Sequence, residues 1–156
     1  MPKMSFNIRS SKDFYKKLLD DYTEYKKDRV SSGRALNCAM VSWHLSEWVA
    51  NEEMPGAKYS EIKEKVNDFI KKCPSLSIMK DIANGSKHFN ITRYEPAIDK
   101  THLHHGDFNA DFSHDFDIST LVITMKDGEK KYFEIEIEIV INFWKEFFDE
   151  HNHNSQ

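Results

Sequence analysis

The chain has 156 residues, the usual size of one compact domain, and 39% hydrophobic with 31% charged residues excludes a disordered profile. Aromatics make up 13%, enough bulky apolar surface for a core, while 5 Gly and 4 Pro exclude collagen-like and linker-rich architectures. The net charge of −4 hides an asymmetry: residues 1–100 hold 18 Lys/Arg against 14 Asp/Glu, and residues 101–156 hold 4 against 12.

That split, +4 followed by −8, leaves a nucleic-acid surface open on the first part. Its alternative is two oppositely biased faces that attract each other within one fold or across a dimer. No apolar run approaches the roughly 20 residues that span a bilayer, so no membrane association is expected. Met1-Pro2-Lys3-Met4-Ser5 carries no apolar signal stretch, which makes the cytoplasm the expected location. Cys38 and Cys73 lack a CxxC spacing and are too few for a disulfide scaffold, so reduced thiols are expected.

Helices are expected over the first 90 residues. Ser10 and Ser11 are N-cap candidates, and Phe14, Leu18, Tyr22 and Tyr25 follow at helical spacing. Ser31-Ser32-Gly33 breaks the pattern. From Arg34 to about Asn51 runs the most apolar helix, with Leu36, Cys38, Met40, Val41, Trp43, Leu45, Trp48 and Val49; such a helix belongs in the centre of a bundle. Pro55-Gly56 forces a loop. Ser60 can cap a third helix carrying Ile62, Val66, Phe69 and Ile70, and Pro74 suits the first turn of a fourth. The fourth buries Leu76, Met79, Ile82 and Ala83 and extends to about His88.

After Phe89 the period changes. Residues 89–95 read as a strand and residues 96–117 as a polar, His- and Asp-rich loop. Leu121 to Met125 form a strand, Asp127-Gly128 a tight turn, and Tyr132 to Ile137 an alternating return strand. Val140, Phe143, Trp144, Phe147 and Phe148 then give a closing helix that ends near Glu150. The expectation is one α+β domain over residues 1–156: a four-helix bundle at 10–90, a β-hairpin with a closing helix at 91–150, and a frayed tail at 151–156.

The motifs of nucleotide hydrolysis, Rossmann redox chemistry and α/β-hydrolase chemistry are absent. Three polar constellations stand out. Lys80, Asp81, Asn84, Lys87 and His88 fall on one helical stripe, where a histidine can take a proton and lysines can hold a phosphate. The alternative is an ordinary solvated face with cations near a helix end. His44, flanked by Trp43 and Trp48 in an aromatic belt, either faces His88 across a helix pair or is a satisfied core histidine. His102, His104, His105 and His114, with Asp107, Asp111 and Asp115, are weak metal-ligand candidates, since their spacing matches no established site. No cofactor is expected.

Trp43-His44-Leu45-x2-Trp48-Val49 on one helix and Asp81-Ile82-Ala83-Asn84-Gly85-Ser86-Lys87-His88-Phe89 on another resemble small bacterial and phage-borne proteins. Their helical part is similar to the HEPN superfamily, helical bundles common in toxin–antitoxin and phage-defence systems. The resemblance covers about residues 10–90 and leaves the hairpin and last helix outside. It implies a HEPN-like bundle and a metal-independent endoribonuclease acting as a dimer, with an Arg, a polar residue and a later His on one helix. His88 takes the place of that His, and Asp81 or Asn84 that of the polar residue. If Asp81 is that residue, Lys80 stands where the Arg belongs, and the pattern is departed from twice: His88 follows Asp81 by seven residues where the family has four to six, and an ammonium lacks the bidentate fork that grips a phosphate. His44, Trp43 and Trp48 would support this site from the neighbouring helix.

The expected function is therefore RNA cleavage or RNA binding within a toxin–antitoxin or phage-defence system. A non-enzymatic protein-interaction module, antitoxin-like or a phage accessory, is the alternative; a metal protein built on the His-rich loop ranks third. RNA or a partner protein is the expected partner. The apolar surplus of Met40, Trp43 and Trp48 points to a two-fold homodimer, unless the C-terminal helix covers it.

Overall fold

Ser10 starts the first helix, α1 (Ser11–Lys27), by a reciprocal cap: its hydroxyl accepts from the Asp13 amide at 3.1 Å, and Asp13 accepts from the Ser10 amide at 3.1 Å. The structure, a computed structural model, describes residues 4–106 and 119–153. Leu18 and Tyr25 on α1 are buried, as their spacing predicts. Ser31 caps α2 (Ser32–Glu53) by accepting from the Arg34 amide. α2 packs against α1, against α5 (Phe133–His153) and against the two helices that follow it. Cys38, Ala39, Leu45 and Ala50 on it have no exposed surface, so it occupies the centre that its near-continuous apolarity predicts.

The third helix, α3 (Tyr59–Lys72), starts ahead of the expected cap. Ser60 lies inside the first turn, and the Glu61 carboxylate accepts from the Lys58 amide at 2.7 Å instead. Pro74 precedes α4 (Ser75–Lys87) in helical conformation, where its missing N–H costs nothing. α4 runs through Asn84-Gly85 and ends at His88, whose amide donates to the Asn84 carbonyl at 2.9 Å.

The second half departs from expectation in three places. Residues 89–95 form no strand; they make a strap between α4 and the sheet. The first strand, β1 (Ile98–His104), lies within the segment expected to be loop and pairs antiparallel with β2 (Thr120–Met125), so that His102 faces Val122 in register. β1 is an edge strand with five of its seven residues exposed, so no alternation marks it in the sequence. The return strand is short: β3 (Lys130–Tyr132) pairs with the other edge of β2, and Phe133 already begins α5. The turn between β2 and β3 uses Gly128 at φ 89, with Asp127 accepting from the Glu129 amide rather than adopting a positive φ.

The early start of α5 corrects the reading of Phe133 to Ile137 as a strand. Phe133, Ile137, Val140, Ile141, Trp144 and Phe148 recur at helical intervals and are all buried, whereas Ile135 and Ile139 face outward. α5 packs on α1, α2, α4, β2 and β3, closing one core to which all five helices and β2 contribute. Near the starts of α4 and α5 the Ser75 hydroxyl donates to the buried Glu136 carboxylate at 2.5 Å. The result is an α+β fold with a helical bundle, a three-stranded antiparallel sheet and a C-terminal helix. Among the described residues no helix is long and apolar enough to cross a membrane.

Candidate functional site

α4 ends beside α2 and α3, and the strap that leaves it folds back over the same region. Between them lies a cleft of about 590 Å³. Ile62 and Val66 of α3, both buried, form part of its apolar wall, with Trp43 of α2 beside them. Tyr59 at its rim is 79% exposed, so one aromatic face is open to a flat ligand.

The polar lining is dominated by cations. Lys63 comes from α3, Lys80 and Lys87 from α4, His88 from the α4 terminus and Arg93 from the strap; the lining holds one carboxylate, Glu47. Among the described residues none of these four Lys/Arg side chains is in an ion pair. Converging unpaired cations in a concave site focus a positive field, although the whole chain is acidic.

Asp81 fixes the strap. It is 4% exposed, turned away from the cleft, and accepts from the Tyr94 hydroxyl at 2.9 Å and from the Ala97 amide at 2.8 Å. Asn84 donates to the Tyr94 hydroxyl oxygen at 3.0 Å, and the Lys80 ammonium sits 4.6 Å over the Tyr94 ring. Burial, with the Asp81 carboxylate accepting the hydroxyl's hydrogen bond, pushes the Tyr94 phenol up to about 12, against the opposing bond from Asn84. Tyr94 therefore stays a neutral donor at physiological pH, and the strap is latched to α4.

The stripe expected on α4 is thus divided. Lys80, Asn84, Lys87 and His88 share the cleft, while Asp81 is a buried anchor behind it. Trp43 lines the cleft; Trp48 instead stacks on Phe14 at 4.7 Å within the chain, which uses part of the apolar surplus of α2. His44 lies outside the lining. Lys63, Tyr59, Arg93 and Tyr94 were not singled out from sequence; the adjacent basic and aromatic residues Arg93-Tyr94 were the available signal.

His44 is exposed and so is not the core histidine that the sequence left open, yet partial desolvation of its ring lowers its pKa from the ordinary 6.5; Glu47 opposes the shift and the Lys87 charge adds to it. Because the folded pKa is the lower one, the unfolded chain binds this proton more tightly. The contribution is complete above about pH 6.5 and lost as pH falls through the folded value. In a proton NMR titration His44 is expected to have its midpoint below 6.5, moving up in Lys87→Gln and down in Glu47→Gln. A midpoint at or above 6.5, or one indifferent to both changes, overturns this.

His102 and His104 lie two residues apart on β1, and His105 follows; Asp107, Asp111, His114 and Asp115 are outside the described residues. Among the described residues no group of three or more His, Cys, Asp or Glu side chains is gathered as a metal ion requires. His102 instead borders a smaller, mainly apolar cavity of about 190 Å³ with Leu36, Ile82 and Phe133.

No protein-family model, curated protein or solved structure matches the chain.

Proposed function

We propose that the protein is a HEPN-like, metal-independent endoribonuclease that binds RNA in the α4 cleft, serving a toxin–antitoxin or phage-defence system as a two-fold dimer. One observation carries this reading: His88 shares a cleft with Lys63, Lys80, Lys87 and Arg93, unpaired among the described residues, and with exposed aromatic surface. A groove of this kind suits a phosphate backbone whose bases stack on rings.

In the proposed reaction the His88 imidazole takes the proton of a ribose 2′-hydroxyl. The 2′-oxygen attacks the adjacent phosphorus, the bond from phosphorus to the 5′-oxygen breaks, and a 2′,3′-cyclic phosphate and a 5′-hydroxyl result. Lys80 and Lys87 balance the charge that builds on the phosphorane oxygens, and the departing 5′-oxygen takes a proton from water.

The test compares purified wild type and His88→Ala on RNA in excess chelator. Loss of general-base catalysis is expected to slow cleavage by about 10²–10⁴-fold while RNA affinity changes little. Equal cleavage by both proteins, or none by either, removes the enzymatic claim. Absence of RNA binding as well favours the protein-interaction module. For the assembly, light scattering at micromolar concentration is expected to give twice the 18.4 kDa chain mass. A monomer mass that persists in low salt ends the dimer proposal.

A further inference from the structure

The chemistry of the cleft has an imbalance. A phosphate diester presents two non-bridging oxygens that a planar guanidinium engages through two parallel N–H bonds, whereas an ammonium acts as a point charge. The α4 stripe offers ammonium groups only. Arg93 is the one guanidinium in the lining, and it comes from the strap rather than from a helix.

Three observations make Arg93 more than an exposed cation. Its neighbour Tyr94 is held on both sides of the hydroxyl by Asp81 and Asn84, and the Ala97 amide is held by the same Asp81. The backbone carrying Arg93 is therefore one residue from an anchored point, about 3.8 Å away between Cα atoms. The nearest carboxylate along the chain, Glu95, is engaged by the Lys126 ammonium at 2.6 Å, and among the described residues Arg93 itself has no hydrogen-bond or ion-pair partner. Lys80 is drawn over the ring of Tyr94, the residue beside Arg93, which gathers the helix cation toward the strap.

We infer that Arg93 is the phosphate-gripping residue of this cleft, closing on an RNA phosphodiester from the strap while His88 and Lys80 face it from α4. The inference rests on the RNA reading above. The strap is then part of the binding site rather than a connection between helix and sheet, and Asp81 acts as a positioning residue through Tyr94.

The experiment measures binding of a labelled short single-stranded RNA oligonucleotide, by fluorescence anisotropy, between about 50 and 200 mM salt. The proteins are wild type, Arg93→Ala, Arg93→Lys and, as a control outside the cleft, Lys130→Ala of β3. Arg93→Ala is expected to weaken binding by at least about tenfold and to flatten the plot of log affinity against log salt by about 0.7. Arg93→Lys is expected to restore the slope but not the affinity, because it returns the charge without the fork. Lys130→Ala should match wild type.

If wild type binds and Arg93→Ala binds equally well with the same slope, the inference is overturned and the RNA reading stands. Full recovery of affinity by Arg93→Lys also overturns it, since a point charge then suffices. If wild type does not bind RNA, both fall together. Among the described residues Arg93 has no hydrogen bond or ion pair on which the fold depends, and equal melting temperatures for the variants and wild type check that affinity is being compared between folded proteins.

Discussion

Trp144→Ala is expected to lower the unfolding free energy by about 3–5 kcal/mol, the cost of emptying a large aromatic site in a close-packed core. Trp144 has no exposed surface and packs edge-on against Phe69 at 5.5 Å, Phe143 at 4.9 Å and Phe147 at 5.6 Å. Few cores relax into a gap ringed by other rings, so the upper half of that range is the better expectation. The indole also carries a buried N–H with no hydrogen-bond partner among the described residues. Trp144→Phe removes that unsatisfied donor together with some volume, and the two effects oppose each other. It should therefore cost less than about 1.5 kcal/mol. Denaturant unfolding of both variants checks this, and a loss in Trp144→Phe as large as that in Trp144→Ala overturns the expectation.

Asp81→Ala is the second large effect, because one side chain serves the strap, the sheet and α4 together. Its removal leaves the Ala97 amide and the Tyr94 hydroxyl without their acceptor, and the 3.4 Å approach of the Ile98 amide is lost as well. The expected cost is about 3 kcal/mol, since stranded donors forfeit their desolvation as well as the bond. Asp81→Asn keeps one acceptor oxygen and should cost about half as much. The loss should be local before it is global: hydrogen exchange at the Ala97 amide is expected to accelerate more than exchange in the centre of α2. Uniform acceleration across both segments, or a loss below about 1 kcal/mol, would show that the strap is held by something other than Asp81.

Both predictions involve residues whose surroundings were unequally visible in the sequence. Trp144 sits in a helical run of Phe and Val, so its burial could be read directly. Asp81 looked like one more charge on a solvated stripe, because its burial depends on Tyr94 and Ala97, residues from a segment expected to be strand and loop.

What the sequence determined by itself is the set of features encoded by near neighbours. Ser10 and Asp13 start α1, Ser31 starts α2, Pro74 stands before α4, and Gly128 supplies the positive φ of the β2–β3 turn. Each is a local backbone requirement met within four residues. The centrality of α2 was legible for the same reason, since apolar residues around most of a helix leave no face for solvent.

Tertiary structure decided the rest. From Phe133 to Ile137 the apolar residues alternate at period two and carry high β-propensity, and the sequence favours a strand. The helix prevails because Phe133 and Ile137 continue the face of Val140, Ile141, Trp144 and Phe148, and only a helix delivers all six to one core. β1 has no apolar alternation to announce it, and its backbone bonds are supplied by β2, more than ten residues further on. The cleft was least legible of all: Lys63, Lys80, His88 and Arg93 lie on three separate segments with no common spacing. They meet because α3 and α4 each pack against α2 and against one another, and because Asp81 ties the strap back onto α4. A local pattern records which face of a helix is buried, but not which distant residue will be brought to the other face.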